Sequence, residues 1–169
     1  MSKLKSSRPG ARNAHDGAAE FSETSLPVSL LRAREAVMTH MRPILRSHGV
    51  TEQQWRVLRA LSATQPLDKT TLADRAALLM PSLLRILKDL EQERLIRLVK
   101  SRSNARLSHV MLTKAGAAYV HTVSDALAKM GRVVRAEIGA DAVDELIALL
   151  GTVELRLRRL KSRRSADKS

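Results

Sequence analysis

Arg97, Lys100, Arg102 and Arg106 fall within ten residues of one another, with no acid between them, and are interleaved with Ser101, Ser103 and Asn104. Guanidinium and ammonium groups beside short hydroxyl and amide side chains suit contact with phosphate oxygens. Arg102 or Arg106 can also enter a minor groove, where narrow A·T-rich tracts concentrate negative potential. The bland use of such charge is to protect a sheet edge from aggregation. That accounts for one or two cations better than for four. A second group, Ser82, Arg85 and Lys88, recurs every three residues and so shares one helix face. The fork of Arg85 matches the O6 and N7 atoms of guanine. Ser82, at the start of its helix, suits a phosphate. Leu84 serves a thymine methyl or the core equally well. Asp89, Glu91 and Glu93 confine any approach to an anion to the first half of this helix.

A third group is Arg34, His40, His48 and Trp55. A cation and imidazoles near the single Trp can hold an aromatic carboxylate between a charge and a flat wall. Alternatively, Arg34 pairs with a carboxylate such as Glu35 or Glu154, and Trp55 is ordinary core. Both uses stay open, and His109 receives no role. Catalysis is not expected, since the acids are scattered without a focal pair and no Gly-rich phosphate loop is present. The five His show no metal-ligand spacing and there is no Cys. No metal and no cofactor are expected, and the cysteine-free composition suits the cytoplasm.

The elements that must position these groups follow from periodicity. Leu30, Ala33, Val37, Met41 and Ile44 mark one stripe of a first helix, with Pro43 near its end and Gly49 as its stop. Thr51 with Gln54 is a capping-box signature for a second helix that buries Val57, Leu58 and Leu61. After a loop, "SATQPLD", Asp68 caps a short helix, "KTTLADRAAL". Leu79-Met80 is the expected turn. Pro81 opens the next helix, which buries Leu83, Ile86, Leu87 and Leu90. Leu98-Val99 and Val110-Met111-Leu112 then flank the basic segment as a hairpin. Two short helices about a tight turn, followed by a β-hairpin, outline a winged helix-turn-helix. The fold class is therefore mainly α with a small β-hairpin wing, joined to a helical dimerisation region.

Thr113 caps a long helix stopped by Gly139. From about Asp141 a last helix carries Val143, Leu146, Leu150, Val153, Leu157 and Leu160, spaced alternately by three and four. That heptad seam calls for a partner helix, and a second copy of the chain is favoured. The formal charge of +13 suggests a polyanionic partner. The charge is not confined to the ends, because residues 26–160 hold 22 Lys/Arg against 13 Asp/Glu. One Trp, one Tyr and one Phe are too few for a module that stacks single-stranded bases. No apolar run is long enough to span a membrane, and the first residues lack the apolar core of a signal peptide. Residues 1–25 are expected to be a disordered basic arm, 26–160 the domain and 161–169 a basic tail. Within the domain, 51–112 form the winged helix-turn-helix, while 26–49 and 113–160 supply mainly dimerisation helices.

From about Leu26 to Leu160 the chain resembles the MarR family. The resemblance is carried by "TLADRAALLMPSLLRILKDLEQERLI", followed by "RLVKSRSNARLSHVMLTKAG". The upstream run "REAVMTHMRPILRSHGVTEQQWRVLRAL" is similar to the subgroup around regulators of homoprotocatechuate degradation. The resemblance implies a homodimeric winged helix-turn-helix repressor that binds a pseudo-palindromic, double-stranded DNA operator. It also implies release by a small molecule, often an aromatic acid, at a site where dimer helices meet the DNA-binding lobe. Hydroxyphenylacetate, a catecholic acid and a hydroxylated pyridine carboxylate are the expected effector types. One position departs from the family: at the wing tip an Asp commonly precedes an Arg by two residues, and here the run is Asn104-Ala105-Arg106. The pair loses its charge, so Arg106 is expected to be less anchored. Two other readings remain, a nonspecific architectural DNA-binding protein and a ligand-binding helical adaptor whose basic charge is incidental.

Overall fold

The computed structural model describes residues 25–100 and 108–166. Two compact units divide the chain, residues 1–39 and 40–169. The elements in order are α1 (Leu26–Ser47), α2 (Glu52–Ala63), β1 (Leu67–Asp68), α3 (Lys69–Arg75), α4 (Met80–Gln92), β2 (Ile96–Lys100), β3 (Ser108–Leu112), α5 (Lys114–Ile138) and α6 (Ala140–Ala166).

Local chemistry explains most of the boundaries. Gly49 ends α1 with φ +72°, the left-handed turn that glycine takes without a side-chain clash. Its N–H donates to the Arg46 carbonyl at 3.0 Å, and that of Val50 to Leu45 at 3.1 Å, which satisfies carbonyls the helix leaves open. Thr51 caps α2 reciprocally: Gln54 N–H donates to its hydroxyl at 3.2 Å, and its own N–H donates to Gln54 Oε1 at 2.9 Å. Asp68 accepts from Thr71 N–H at 2.9 Å and heads α3. Thr113 accepts from Gly116 N–H at 2.9 Å and heads α5, which stops at Gly139 as expected. Pro43 lies inside α1.

The core of the second unit joins α2, α3, α4 and the sheet. Val57, Leu58, Leu61, Leu72, Leu83, Leu90 and Val110 are fully buried. Each such aliphatic side chain contributes roughly 1.5–3 kcal/mol on leaving water. The sheet is antiparallel in the order β1-β3-β2. Leu67 and Asp68, read as loop and cap from the sequence, also pair with Val110 and His109 as a third strand. They make the wing's second strand the central one. In the first helix the expected stripe is not where burial is deepest. Leu30 and Ala33 are exposed, Val37, Met41 and Ile44 half-buried, and Leu45 alone is buried.

Only the start of α5 is buried, at Gly116, Val120 and Val123, and among the described residues 140–160 of α6 none is. Along the heptad seam of α6, Leu146, Leu150, Leu157 and Leu160 are exposed. Aliphatic residues in that number on one helix need a covering surface. The helix continues to Ala166, past the boundary at Leu160 expected for the domain.

Candidate nucleic-acid interface and effector site

The helix-turn-helix is built on an unusual turn. The sequence reading carries the first helix to Leu78 and sets the turn at Leu79-Met80. In the structure α3 stops at Arg75, and residues 76–79 form the turn. The reason is Ala77, which adopts φ +50°. This left-handed conformation is uncommon for a residue with a Cβ and breaks the helix where no glycine signals it. Ala77 N–H donates to the Asp74 carbonyl at 3.1 Å and Leu78 N–H to Ala73 at 2.9 Å. The Ala77 carbonyl in turn accepts from Arg56 Nη1 on α2 at 3.1 Å. Leu79 becomes the cap residue of α4, without a side-chain capping bond, and Pro81 lies in the first turn.

In α4 the inward face is Leu83, Ile86, Leu87 and Leu90, all buried. On the other side Arg85 and Lys88 are exposed and Ser82 is half-buried, so the three expected residues are together on one outward face. Leu84 joins them at 46 % exposure and is not core. Asp89 is half-buried, while Glu91 and Glu93 are exposed toward the far end. Thus Arg85 and Lys88 lie in the middle of the helix, and Ser82 in its first turn, where the free N–H groups and the positive end of the dipole also favour an anion.

The wing strands pair Ile96 with Leu112, Leu98 with Val110 and Lys100 with Ser108. Leu98 and Val110 are therefore direct partners, although Leu98 is 40 % exposed and Val110 is buried. Lys100 ends β2, and Ser101, Arg102, Ser103, Asn104 and Arg106 lie outside the described residues. The base of the wing is fixed to α5 by one knot. The Leu95 carbonyl accepts from Thr113 N–H at 3.0 Å, the Thr113 hydroxyl donates to the Arg94 carbonyl at 2.7 Å, and Gly116 lies directly against Leu95. A Cβ at Gly116 would overlap the Leu95 carbonyl oxygen and sit 2.8 Å from its carbon.

The four effector candidates are less closely grouped in what they do. Arg34 donates to Glu35 Oε1 at 2.6 Å, the pairing set against an effector role in the sequence reading. His40 is exposed on α1. The His48 ring is half-buried, with Nδ1 at 2.9 Å from the Ile44 carbonyl and 3.3 Å from the Ser47 hydroxyl. Its backbone carbonyl accepts from Tyr119 of α5 at 2.7 Å. Burial, and secondarily the negative Glu93, push the Tyr119 phenol above its usual value. Trp55 is buried in the first turn of α2.

One cationic group escaped the sequence reading. Arg56, Arg59, Ala60 and Ala63 of α2, with Arg75 of α3, line a recess of about 380 Å³. Spacing alone groups Arg56 with Arg59, but Arg75 joins them only through the packing of two helices. A second open recess, about 800 Å³, lies beside the turn and is lined partly by Asp74, Leu79, Glu154 and Arg158. There Arg158 of α6 bridges Asp74 at 2.9 Å and Glu154 at 3.0 Å. Among the described residues no cluster of His, Asp and Glu could hold a metal ion, and no helix is long and apolar enough to cross a membrane.

Comparison with known proteins agrees with this geometry. The sequence model described as MarR family matches residues 48–107. The homoprotocatechuate degradative operon repressor of Escherichia coli is 37% identical over 126 residues, covering 75% of this chain and 85% of that protein. The crystal structure of the transcriptional regulator PA4135 superposes with a TM-score of 0.75 at 35% identity, covering 77% of this chain and 96% of that one. NadR in complex with 4-hydroxyphenylacetate gives a TM-score of 0.70 at 30% identity, covering 86% and 97%.

Proposed function

Because the chain belongs to the MarR family, as a DNA-binding winged-helix transcriptional repressor rather than an enzyme, we propose that it reads a pseudo-palindromic operator as a homodimer and leaves it when a small aromatic acid binds. The observation that carries the DNA reading is the division of α4: four aliphatic residues inward, and Ser82, Arg85 and Lys88 outward on the opposite face. Arg85 contacts a base edge, and Ser82 and Lys88 position the helix on phosphates. Lys100, Ser101, Arg102, Ser103, Asn104 and Arg106 contact the flanking backbone or minor groove. The exposed seam of α6 supports a second copy of the chain as its cover. Two-fold symmetry then sets half-sites about 34 Å apart.

For the effector, the similarity to a protein crystallised with 4-hydroxyphenylacetate and to a repressor named for homoprotocatechuate degradation favours a hydroxyphenylacetate among the aromatic acids. Trp55 and His48 supply a wall and a fixed imidazole on the α2 side, and Arg34 and His40 the further polar groups to test.

The test begins with DNA selected from a random-sequence pool by the wild-type protein. Arg85→Ala should lose about 1–3 kcal/mol on that DNA and little on a scrambled duplex. A variant that keeps its full preference removes Arg85 from the reading. Titration with 4-hydroxyphenylacetate should change Trp55 fluorescence and weaken binding to the selected DNA. An aromatic acid series that moves neither signal sinks the effector half of the reading and leaves the operator half standing.

A further inference from the structure

We propose that Leu84 of α4 reads a thymine 5-methyl group in the major groove, as a specificity-determining residue beside Arg85; the inference rests on the operator reading above. The other aliphatic side chains of α4 are packed away. Leu83, Ile86, Leu87 and Leu90 are at most 4% exposed, whereas Leu84 is 46% exposed. Leu84 follows Pro81 by three residues and precedes Lys88 by four, so it borders both on the helix surface. Pro81, Arg85 and Lys88 are exposed as well. Leu84 lines neither the recess beside the turn nor the arginine recess.

A recognition helix laid in the major groove brings this side against base edges. The groups presented there are hydrogen-bond donors and acceptors, with one exception, the methyl of thymine. A leucine offers nothing to a donor or acceptor, but it takes a methyl group out of water. A cytosine in the same place sets its N4 amino group against the side chain, where it loses water and gains no acceptor. Leu84 therefore selects thymine by attraction and disfavours cytosine by desolvation. Pro81, with no N–H and no polar side-chain atom, leaves the surface before Leu84 apolar too.

Arg85 is the next residue, about 100° further round the helix and about 1.5 Å along it. The two side chains thus reach separate groups on nearby base pairs. With the guanine that suits Arg85, this gives a half-site in which a T·A pair lies within about two base pairs of a G·C pair.

The experiment uses the full-length protein and the DNA selected by the wild type from a random-sequence pool. Each thymine is replaced in turn by deoxyuridine, which pairs identically and lacks only the methyl group. Wild type should lose about fourfold in affinity at one thymine of each half-site, the value of one buried carbon. Leu84→Ala should bind the thymine and uracil forms of that site equally, and Leu84→Met should keep a preference for thymine. Circular dichroism confirms that both variants fold. A wild type without a uracil penalty at any thymine, or a Leu84→Ala variant that keeps every penalty, overturns the proposal. So does a Leu84→Ala variant that weakens self-association and leaves the penalties unchanged, since the leucine then packs on a second copy. Failure of this inference is distinguishable from failure of the operator reading. A flat uracil scan with preference still lost in Arg85→Ala removes Leu84 alone, whereas a wild type indifferent between selected and scrambled DNA removes both.

Discussion

Gly116→Ala isolates the joint between the wing and α5. The new methyl overlaps the Leu95 carbonyl oxygen and lies 2.8 Å from the Leu95 carbonyl carbon and 3.2 Å from its Cα. These are backbone atoms, so no side-chain rotation relieves the overlap. The Leu95 carbonyl is held by Thr113 N–H at 3.0 Å, and one residue on, Ile96 is buried and in register with Leu112. Relief requires either α5 to retreat at its first turn or the start of β2 to shift. Overpacking of this kind costs about 1–3 kcal/mol, and the rigid partner argues for the upper end. Loss or distortion of the Thr113 bonds adds about 1 kcal/mol. The gain in helix propensity of Ala over Gly returns about 1 kcal/mol. The net is a loss of roughly 3 kcal/mol, or a fall of about 6–12 °C in melting temperature for a protein of this size.

The assay is urea denaturation of wild type, Gly116→Ala and Gly131→Ala at one fixed protein concentration, because the proposed dimerisation would make apparent stability concentration-dependent. Gly131 is the control: it lies inside the same helix and a Cβ there meets nothing within 4 Å. Its substitution should stabilise by up to about 1 kcal/mol. If Gly116→Ala matched Gly131→Ala, the contact with Leu95 would not constrain the joint, and the physical account of the glycine would be refuted.

Two further predictions concern the flanks of α3. Hydrogen bonds from the Thr71 hydroxyl and then its N–H hold the Asp68 carboxyl below the usual carboxylate range. A lowered folded value means that this stabilisation is complete above the unfolded pKa of about 4 and is lost as pH falls through the folded value. Asp68→Ala should therefore cost about 1 kcal/mol at pH 7, with the gap to wild type narrowing below pH ~4; a gap constant down to pH ~3 in denaturation curves would remove the ionised cap. At Ala77, φ +50° predicts that Ala77→Gly leaves stability within about 1 kcal/mol of wild type, strain relief and unfolded-chain entropy opposing each other. Ala77→Val should lose about 1–3 kcal/mol, and equal stability of the Gly and Val variants would mean that the turn is not left-handed.

What the sequence disclosed and what it concealed divide along physical lines. Caps were legible because they are local: Thr51 with Gln54, Asp68 with Thr71 and Thr113 with Gly116 each span three residues and form the expected bonds. The faces of α4 were legible because aliphatic period and helix period coincide. The turn was misplaced because its conformation is set at Ala77, a residue type that favours continuing a helix, and is held from outside by Arg56. β1 was missed because two residues carry no alternation, and only pairing with Val110 and His109 makes Leu67 and Asp68 a strand. The arginine recess was invisible for the same reason, since Arg75 meets α2 through tertiary packing alone. The role of Gly116 lay between these cases: its family motif could be read, but the reason for it is the carbonyl of Leu95, twenty-one residues earlier in the chain.

The proposed release mechanism has an energetic bound that the structure helps to distribute. A hundredfold loss of operator affinity requires an effector to favour the released form by about 2.7 kcal/mol. In a symmetric dimer with two effectors, each site supplies about half of that, near the lower end of ordinary coupling energies. The ion pair of Arg158 with Asp74 joins the last helix to the helix-turn-helix, but both side chains are more than half exposed. Screened by solvent, such an exposed pair contributes little. Breaking it is therefore too small a change to release the operator alone. The Gly116–Leu95 joint is the opposite case, a backbone contact too stiff to absorb movement. A lobe displaced by an effector should carry the wing base and the start of α5 with it as one piece. Adjustment then falls to the side-chain contacts on the other flank, the Arg56–Ala77 bond and the Arg158 pair, which side-chain rotation can remake.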